Sequence, residues 1–355
     1  MGQTTLGWSP RKTWIMTKIS LITGSSRGLG RNTALSIAKG GGDVVVTYHS
    51  RSQDADSVVS DIRAMGRKAV ALQLDTGRVA SFDTFAKTLR AALRDTWQRD
   101  TFDALVNNAG HGDYALISDT TEQQFDRLVD VHFKGVFFLT QKLLPLLADG
   151  GRIVNLSSGL TRVSAPGWSA YSAVKAAVEV LSIYMAKEFG SRGIAVNTVA
   201  PGAIETDFFG GAVRDTPDFN KFFADMTALG RVGVADDIGP VIAGLLKDDN
   251  RWINAQRIEA CTLSDTQPRW PHPSSTDSRA QYQGAAPMDI DVQNMQVQPR
   301  RNRPDRDEQG RPKCFYCHNY GHVRHHCRKL QQQSHKQQVQ ITMANAASLA
   351  ELPRN

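Results

Sequence analysis

The chain has 355 residues, with 42 Lys+Arg against 35 Asp+Glu, a formal net charge of +7, 41% hydrophobic residues and 4 cysteines. No apolar run reaches the roughly 18–20 residues that cross a bilayer, and the most apolar stretch, residues 133–148, is broken by Lys134, Gln141, Lys142 and Pro145. The first residues lack the apolar core and small-residue cleavage site of a secretory signal, Leu6 stands where a myristoylation signal needs Ser or Thr, and four cysteines are too few for a disulfide framework, so a cytoplasmic protein with no membrane partner is expected.

In chain order, residues 18–23 form a first predicted strand, followed by a glycine-punctuated turn and a helix through Ala38. Residues 43–47 are a second strand, 53–65 a helix, 68–74 a strand and 79–97 a helix. A strand over 102–106 precedes one long helix over 122–147, then a strand over 152–156, a helix over 170–189 and a strand over 194–199. Residues 252–260 read as a last strand. Helices of ten residues or more between β-branched runs predict an α/β fold, a doubly wound parallel sheet with helices on both faces. Ligands of such sheets bind at the carboxyl ends of the strands.

The functional motifs fall at those ends. The first strand runs into T-G-S-S-R-G-L-G, Thr23–Gly30, whose glycines at 24, 28 and 30 let backbone approach a phosphate at a helix start. Asn107-Asn108-Ala109-Gly110 closes the fourth strand, Ser157-Ser158 the fifth and Pro201-Gly202 the sixth. Tyr171 and Lys175 stand four apart, so they share one helix face. The absence of an acid in Tyr48-His49-Ser50-Arg51 after the second strand, with Arg27 in the glycine turn, favours a 2′-phosphate and hence NADP(H), with NAD as the alternative.

These motifs, in this order and spacing, resemble the short-chain dehydrogenase/reductase family over residues 16–260: the glycine turn, the Asn107–Gly110 tetrad, Ser158 thirteen residues before Tyr171-Ser-Ala-Val-Lys175, and Pro201–Thr206. The resemblance implies a Rossmann-type fold and interconversion of a small-molecule carbonyl and an alcohol. It implies cofactor contacts at Gly24, Ser26, Arg27, Gly28, Leu29 and Gly30, at Arg51 and Asp75, and at Asn107, Ala109 and Gly110. Tyr171, Lys175, Pro201, Gly202, Ile204 and Thr206 complete that set. Tyr171 is the expected general acid/base, its phenol lowered from about 10 by a nearby ammonium and the cationic nicotinamide. Lys175 supplies that ammonium and holds the nicotinamide ribose, and Ser158 binds the substrate oxygen. His132 stands where relatives usually carry an Asn that holds a water of the proton relay. Its two ring nitrogens can serve a relay, or it can be a packed helix residue. Residues 208–234 correspond to the family's substrate loop, with Phe208, Phe209, Phe219, Phe222, Phe223 and Met226 as an apolar wall or as packing, and Trp168 as a further pocket residue. Relatives often form tetramers, so a homo-oligomer is a further expectation.

Beyond Ala260 the composition changes. This part holds 13 of the basic and 8 of the acidic residues, all 4 cysteines and 6 of the 9 histidines, so its net charge is +5 and that of the front +2. Residues 261–312 read as a disordered linker, 329–355 as a polar tail, and 1–15 as a disordered extension. Between them, at 313–328, Cys314, Cys317, His322 and Cys327 form C-x2-C-x4-H-x4-C, four N/S donors suited to tetrahedral zinc. This segment resembles the zinc knuckle of retroviral and retrotransposon Gag proteins. That resemblance implies single-stranded RNA or DNA as a partner, with Phe315 and Val323 stacking bases and Arg300, Arg301, Arg303 and Arg306 meeting phosphates. The basic tail also admits a nuclear location. The alternative to an enzyme with an added tail is a Gag-like nucleic-acid-binding fusion whose dehydrogenase part is inactive.

Overall fold

The computed structural model describes residues 17–261. The chain divides into two units, Met1–His272 and Pro273–Asn355, and every described residue belongs to the first. Its strands are β1 (Ile19–Ile22), β2 (Asp43–Tyr48), β3 (Ala69–Gln73), β4 (Phe102–Asn107), β5 (Leu147–Leu156), β6 (Ala195–Pro201), β7 (Ile204–Glu205), β8 (Gly233–Val234) and β9 (Arg257–Ala260). Seven of them form one sheet in the order β3-β2-β1-β4-β5-β6-β9, and β7 and β8 make a separate pair. Every pairing is parallel, from Ile19 opposite Asp43 to Pro201 opposite Ala260.

The helices are α1 (Gly28–Lys39), α2 (Ser52–Ala64), α3 (Phe82–Trp97), α4 (Glu122–Val129), α5 (Gly135–Leu143), α6 (Ser169–Phe189), α7 (Ala212–Asp215), α8 (Pro217–Met226) and α9 (Ala235–Leu245). Successive strand residues point to opposite faces, which sorts the core into two layers. Ile22, Val44, Val46, Val106 and Val199 pack with Ile37 of α1, Val58 and Ile62 of α2, and Ile238 and Ile242 of α9. Leu21, Val45, Leu105 and Ile153 pack on the other face with Phe82, Leu89 and Leu93 of α3, Leu139 and Leu143 of α5, and Met185 of α6. Leu89 is fully buried, so its truncation to Ala would cost roughly 2–5 kcal/mol. The continuous apolar strands follow from burial on both faces.

Several elements depart from the sequence expectation, among them the last strand, read over 252–260 and found as Arg257–Ala260. The single helix anticipated over 122–147 is α4, capped by the reciprocal Thr121–Gln124 hydrogen bonds, then a π turn at Asp130–Lys134, then α5. The α-helix ends at Leu143 and tightens into a 3-10 turn at Leu144–Leu146, because Pro145 has no N–H to continue the i→i−4 ladder although Leu144 keeps helical backbone angles, and Leu147 already pairs with Phe102 as the start of β5. Another departure is α9, in a stretch to which the sequence reading assigns no element and which carries the helix-weakening Gly239, Pro240 and Gly244. Burial of Ile238, Ile242 and Leu245 outweighs that weak local propensity. The segment read as a loop at 208–234 contains α7, α8 and β8. The residues read as a zinc knuckle, linker and tail lie outside the described residues, as does the 1–15 extension.

Candidate active site

A cleft of about 560 Å³ opens at the carboxyl ends of the central strands. The chain turns from β1 towards β2 and β3 and then returns to the other side of β1 as β4, so the cleft sits where the direction of winding reverses.

One end is a backbone cradle. Gly24 and Gly28 adopt φ of +63° and +55°, the left-handed region that a tight turn requires and side chains resist. At Gly30 an added Cβ would lie 2.4 Å from the Gly24 carbonyl and 2.6 Å from Asn108 Nδ2, so only glycine lets the start of α1 come this close. No side chain caps α1, which leaves its first N–H groups to an anionic ligand. Ser25 and Thr47 lock the turn to β2, with Ser25 N–H donating to Thr47 O at 2.8 Å and Thr47 N–H to Ser25 Oγ at 3.0 Å. Arg27 faces Asp207 at 3.3 Å and Arg51 faces Asp54 at 3.3 Å, both on the exposed rim. Asp75 holds the Gly77 N–H at 2.9 Å and lies 3.7 Å from His49. A glycine cradle, a free helix start and two rim arginines fit a dinucleotide with an additional phosphate.

Of the anticipated cofactor contacts, Gly24, Ser26, Arg27, Gly28, Leu29, Gly30, Arg51, Asp75, Ala109, Gly110, Pro201, Gly202, Ile204 and Thr206 line this cleft. Asn107 does not. Its amide turns into the sheet's helix-covered face, donating to Asn155 Oδ1 at 2.8 Å and Thr140 Oγ1 at 3.2 Å. Its neighbour Asn108 lines the cleft and ties β4 to the glycine turn, donating to the carbonyls of Thr23 at 2.9 Å and Gly24 at 3.1 Å. Consecutive residues at a strand end face opposite ways, and composition cannot say which of two asparagines faces the ligand.

The other end of the cleft holds Ser158, Tyr171 and Lys175. Ser158 precedes a short 3-10 turn, accepts the Leu160 N–H at its Oγ, 3.2 Å away, and is hydrogen-bonded with the Tyr171 phenol. Lys175 donates to the Leu156 carbonyl at 2.8 Å, and its Nζ is 5.7 Å from the centre of the Tyr171 ring. Burial dominates both groups. It raises the Tyr171 phenol above its ordinary value, opposed by a hydrogen bond with Ser158, and pushes the Lys175 ammonium down to about 7. The expected lowering of the phenol by Lys175 is therefore not what this pocket imposes by itself, because removal from water acts against both charged forms.

His132, in the π turn, is buried with its ring edge-on to Tyr171 at 5.4 Å. Its Nε2 lies 2.8 Å from the His111 carbonyl oxygen, while the buried Nδ1 has no hydrogen-bond partner among the described residues. Burial holds its pKa well below the usual histidine value, as do Lys175 and His111. Both histidines line the cleft. His111 gave no signal in the sequence; only the fold brings its ring to 5.2 Å from that of His132.

An aromatic wall flanks Tyr171. Trp168 meets it at 5.6 Å and Phe208 at 5.8 Å, and Phe209 packs on Trp168 at 4.9 Å. Phe219 and Phe223 also reach the cleft, whereas Phe222 and Met226 are core residues of the α8 region. Cys314, Cys317, His322 and Cys327 lie outside the described residues. Among the described residues no cluster of His, Cys, Asp or Glu could hold a metal, and no helix is long and apolar enough to cross a membrane.

A doubly wound sheet with a phosphate-ready glycine turn at one end of its cleft and Ser158, Tyr171 and Lys175 at the other defines a dinucleotide-dependent oxidoreductase. Residues 24–260 match the family model described as enoyl-(acyl carrier protein) reductase. The chain belongs to the short-chain dehydrogenase/reductase family and is an oxidoreductase. It is 37% identical over 243 residues to an uncharacterized oxidoreductase of Methylorubrum extorquens, covering 68% of this chain and 96% of that one. Among solved structures it resembles the promiscuous reductase LugOII, which catalyses keto-reduction at C1 during lugdunomycin biosynthesis, at 40% identity and a TM-score of 0.65 over 68% of this chain and 96% of that one. It also resembles the angucycline C-6 ketoreductase LanV with bound NADP, at 34% identity and a TM-score of 0.65 over 68% of this chain and 93% of that one.

Proposed function

We propose that the protein is an NADP(H)-dependent ketoreductase whose substrate is a bulky, largely apolar aromatic ketone. The observation that carries this reading is the convergence of Ser158, Tyr171 and Lys175 on the far end of a cleft that begins with the glycine cradle. Arg27 and Arg51 on the rim, with no acid at the end of β2, support the phosphorylated cofactor, as does the NADP bound to LanV. The wall of Trp168, Phe208 and Phe209 supports a flat apolar substrate, and the keto-reduction catalysed by LugOII and the ketoreductase LanV support a ketone.

A nicotinamide bound in the cleft supplies the hydride that forms the new C–H bond. Ser158 donates a hydrogen bond to the carbonyl oxygen as negative charge grows there. Tyr171 gives that oxygen its phenolic proton, so the carbonyl becomes an alcohol and the residue a phenolate. Lys175, held by the Leu156 carbonyl, stabilises the phenolate when protonated and binds the ribose. In the oxidative direction the same groups run in reverse, Tyr171 accepting the alcohol proton.

The test is steady-state reduction of an aromatic ketone such as 1-tetralone, followed at the nicotinamide absorbance, for the natural chain and Tyr171→Phe. The expected result is turnover with NADPH and its loss in the variant, with NADPH binding retained. Turnover that survives Tyr171→Phe unchanged would remove the proposed acid/base.

A second activity is supported by a separate observation, the C-x2-C-x4-H-x4-C spacing of Cys314, Cys317, His322 and Cys327 beside a basic run. It fits a structural zinc site whose metal supplies the folding energy of a small nucleic-acid-binding knuckle. About one zinc per chain and salt-sensitive binding of a single-stranded oligonucleotide are expected; either persisting unaltered in Cys317→Ser would refute it.

A further inference from the structure

The last strand of the sheet reaches into the catalytic end of the cleft. Arg257, on β9, is almost wholly covered, with 12% of its side chain exposed. Its Nε donates to Glu179 Oε1 of α6 at 2.7 Å. One terminal nitrogen donates to the Ser158 carbonyl at 3.3 Å and to Thr161 Oγ1 at 3.0 Å. The other faces Glu259 Oε2 at 3.1 Å. Glu179 holds the same segment through that same oxygen, accepting from Ser157 Oγ at 2.5 Å and from Thr161 Oγ1 at 2.9 Å. The planar guanidinium thus joins three pieces of chain: β9, the middle of α6, and the turn between β5 and α6 that presents Ser158. The end of β9 acts on a second loop, since the Ala260 carbonyl accepts the Gly202 N–H at 3.2 Å.

Tyr171 and Lys175 are set by α6 itself, a helix of 21 residues. Ser158 has no such support, for it lies just past the strand end at the start of a three-residue turn. Its backbone needs an external hold to keep its hydroxyl on the substrate oxygen. The Ser158 carbonyl accepts from Arg257 at 3.3 Å and from Thr161 Oγ1 at 3.0 Å, and Glu179 in turn holds both of those side chains. We propose that Arg257, braced by Glu179, is a positioning residue that makes the final strand part of the catalytic apparatus by fixing Ser158 relative to Tyr171. This inference rests on the ketoreductase reading for its assay and on the hydrogen bonds alone for its geometry.

The decisive measurement compares Arg257→Met in the natural background and in Ser158→Ala, using the full chain, NADPH and 1-tetralone, with the hydride step read by single-turnover absorbance. An ångström-scale displacement of a catalytic group costs up to about a hundredfold, so Arg257→Met should slow the step between about tenfold and a hundredfold while the Kd for NADPH, read by nicotinamide fluorescence, stays within about twofold. In the Ser158→Ala background the same change should cost almost nothing, because Arg257 acts through Ser158. Glu179→Gln keeps the side-chain shape and serves if Arg257→Met does not fold; its cost should likewise vanish without the Ser158 hydroxyl. Equal costs in both backgrounds, or an unchanged rate in folded Arg257→Met, would overturn the brace. A natural chain that binds NADPH yet reduces no ketone would instead overturn the functional reading.

Discussion

Replacing Lys175 by Met should stabilise the protein below neutral pH in the absence of nicotinamide. Burial pushes the ammonium from 10.5 down to about 7 in the fold. The folded value lies below the unfolded one, so between pH 7 and 10.5 the unfolded chain binds more protons and stability rises with pH. Below pH 7 the amine is charged in both states and the full cost of burying that charge is present. A shift of this size corresponds to about 5 kcal/mol. The thioether side chain would remove the cost but forfeit the hydrogen bond to the Leu156 carbonyl, worth about 1 kcal/mol. The net gain is about 4 kcal/mol at pH 6, or a rise in Tm of about 10 °C for a domain of this size, shrinking to nothing near pH 10. Calorimetric unfolding of the natural chain and Lys175→Met at pH 6, 8 and 10 measures it. A Tm difference that does not change with pH would refute the argument. The same substitution should abolish ketone reduction, so this residue exchanges stability for function.

Gly30→Ala places a methyl group against the Gly24 carbonyl and Asn108 Nδ2; overpacking of this kind should cost roughly 1–3 kcal/mol in urea unfolding and weaken NADPH binding in fluorescence titration. Unaltered binding would show that the turn does not hold the cofactor. Arg27→Ala and Arg51→Ala should each lower the preference for NADPH over NADH by about tenfold, the loss of one charge-assisted contact, with the ratio of the two Kd values as the readout. Phe208→Ala opens the aromatic wall beside Tyr171 and should raise KM for 1-tetralone more than it lowers kcat, because it removes binding that does not change along the reaction.

Much of the fold was legible locally. β-branched runs alternating with amphipathic helices dictate a parallel, doubly covered sheet, and the 3.6-residue period alone puts Tyr171 and Lys175 on one side of α6. The glycines of the first turn and the absence of an acid after β2 are equally local, since each concerns backbone freedom or charge within a few residues. Other features depend on contacts between distant segments. Pro145 and the pairing of Leu147 with Phe102 end a helix whose apolar pattern would otherwise continue. Asn108 rather than Asn107 reaches the cleft because of where β4 terminates against β1 and β5. The perturbed Tyr171 and Lys175 owe their shifts to removal from water, which only the assembled domain provides. Arg257 lies 99 residues from Ser158 along the chain, and no period or spacing relates them. The sequence by itself therefore determined which chemical groups are present and on which elements they ride. Tertiary structure decided which of them face one another, because hydrogen bonding and desolvation act over a few ångströms of space.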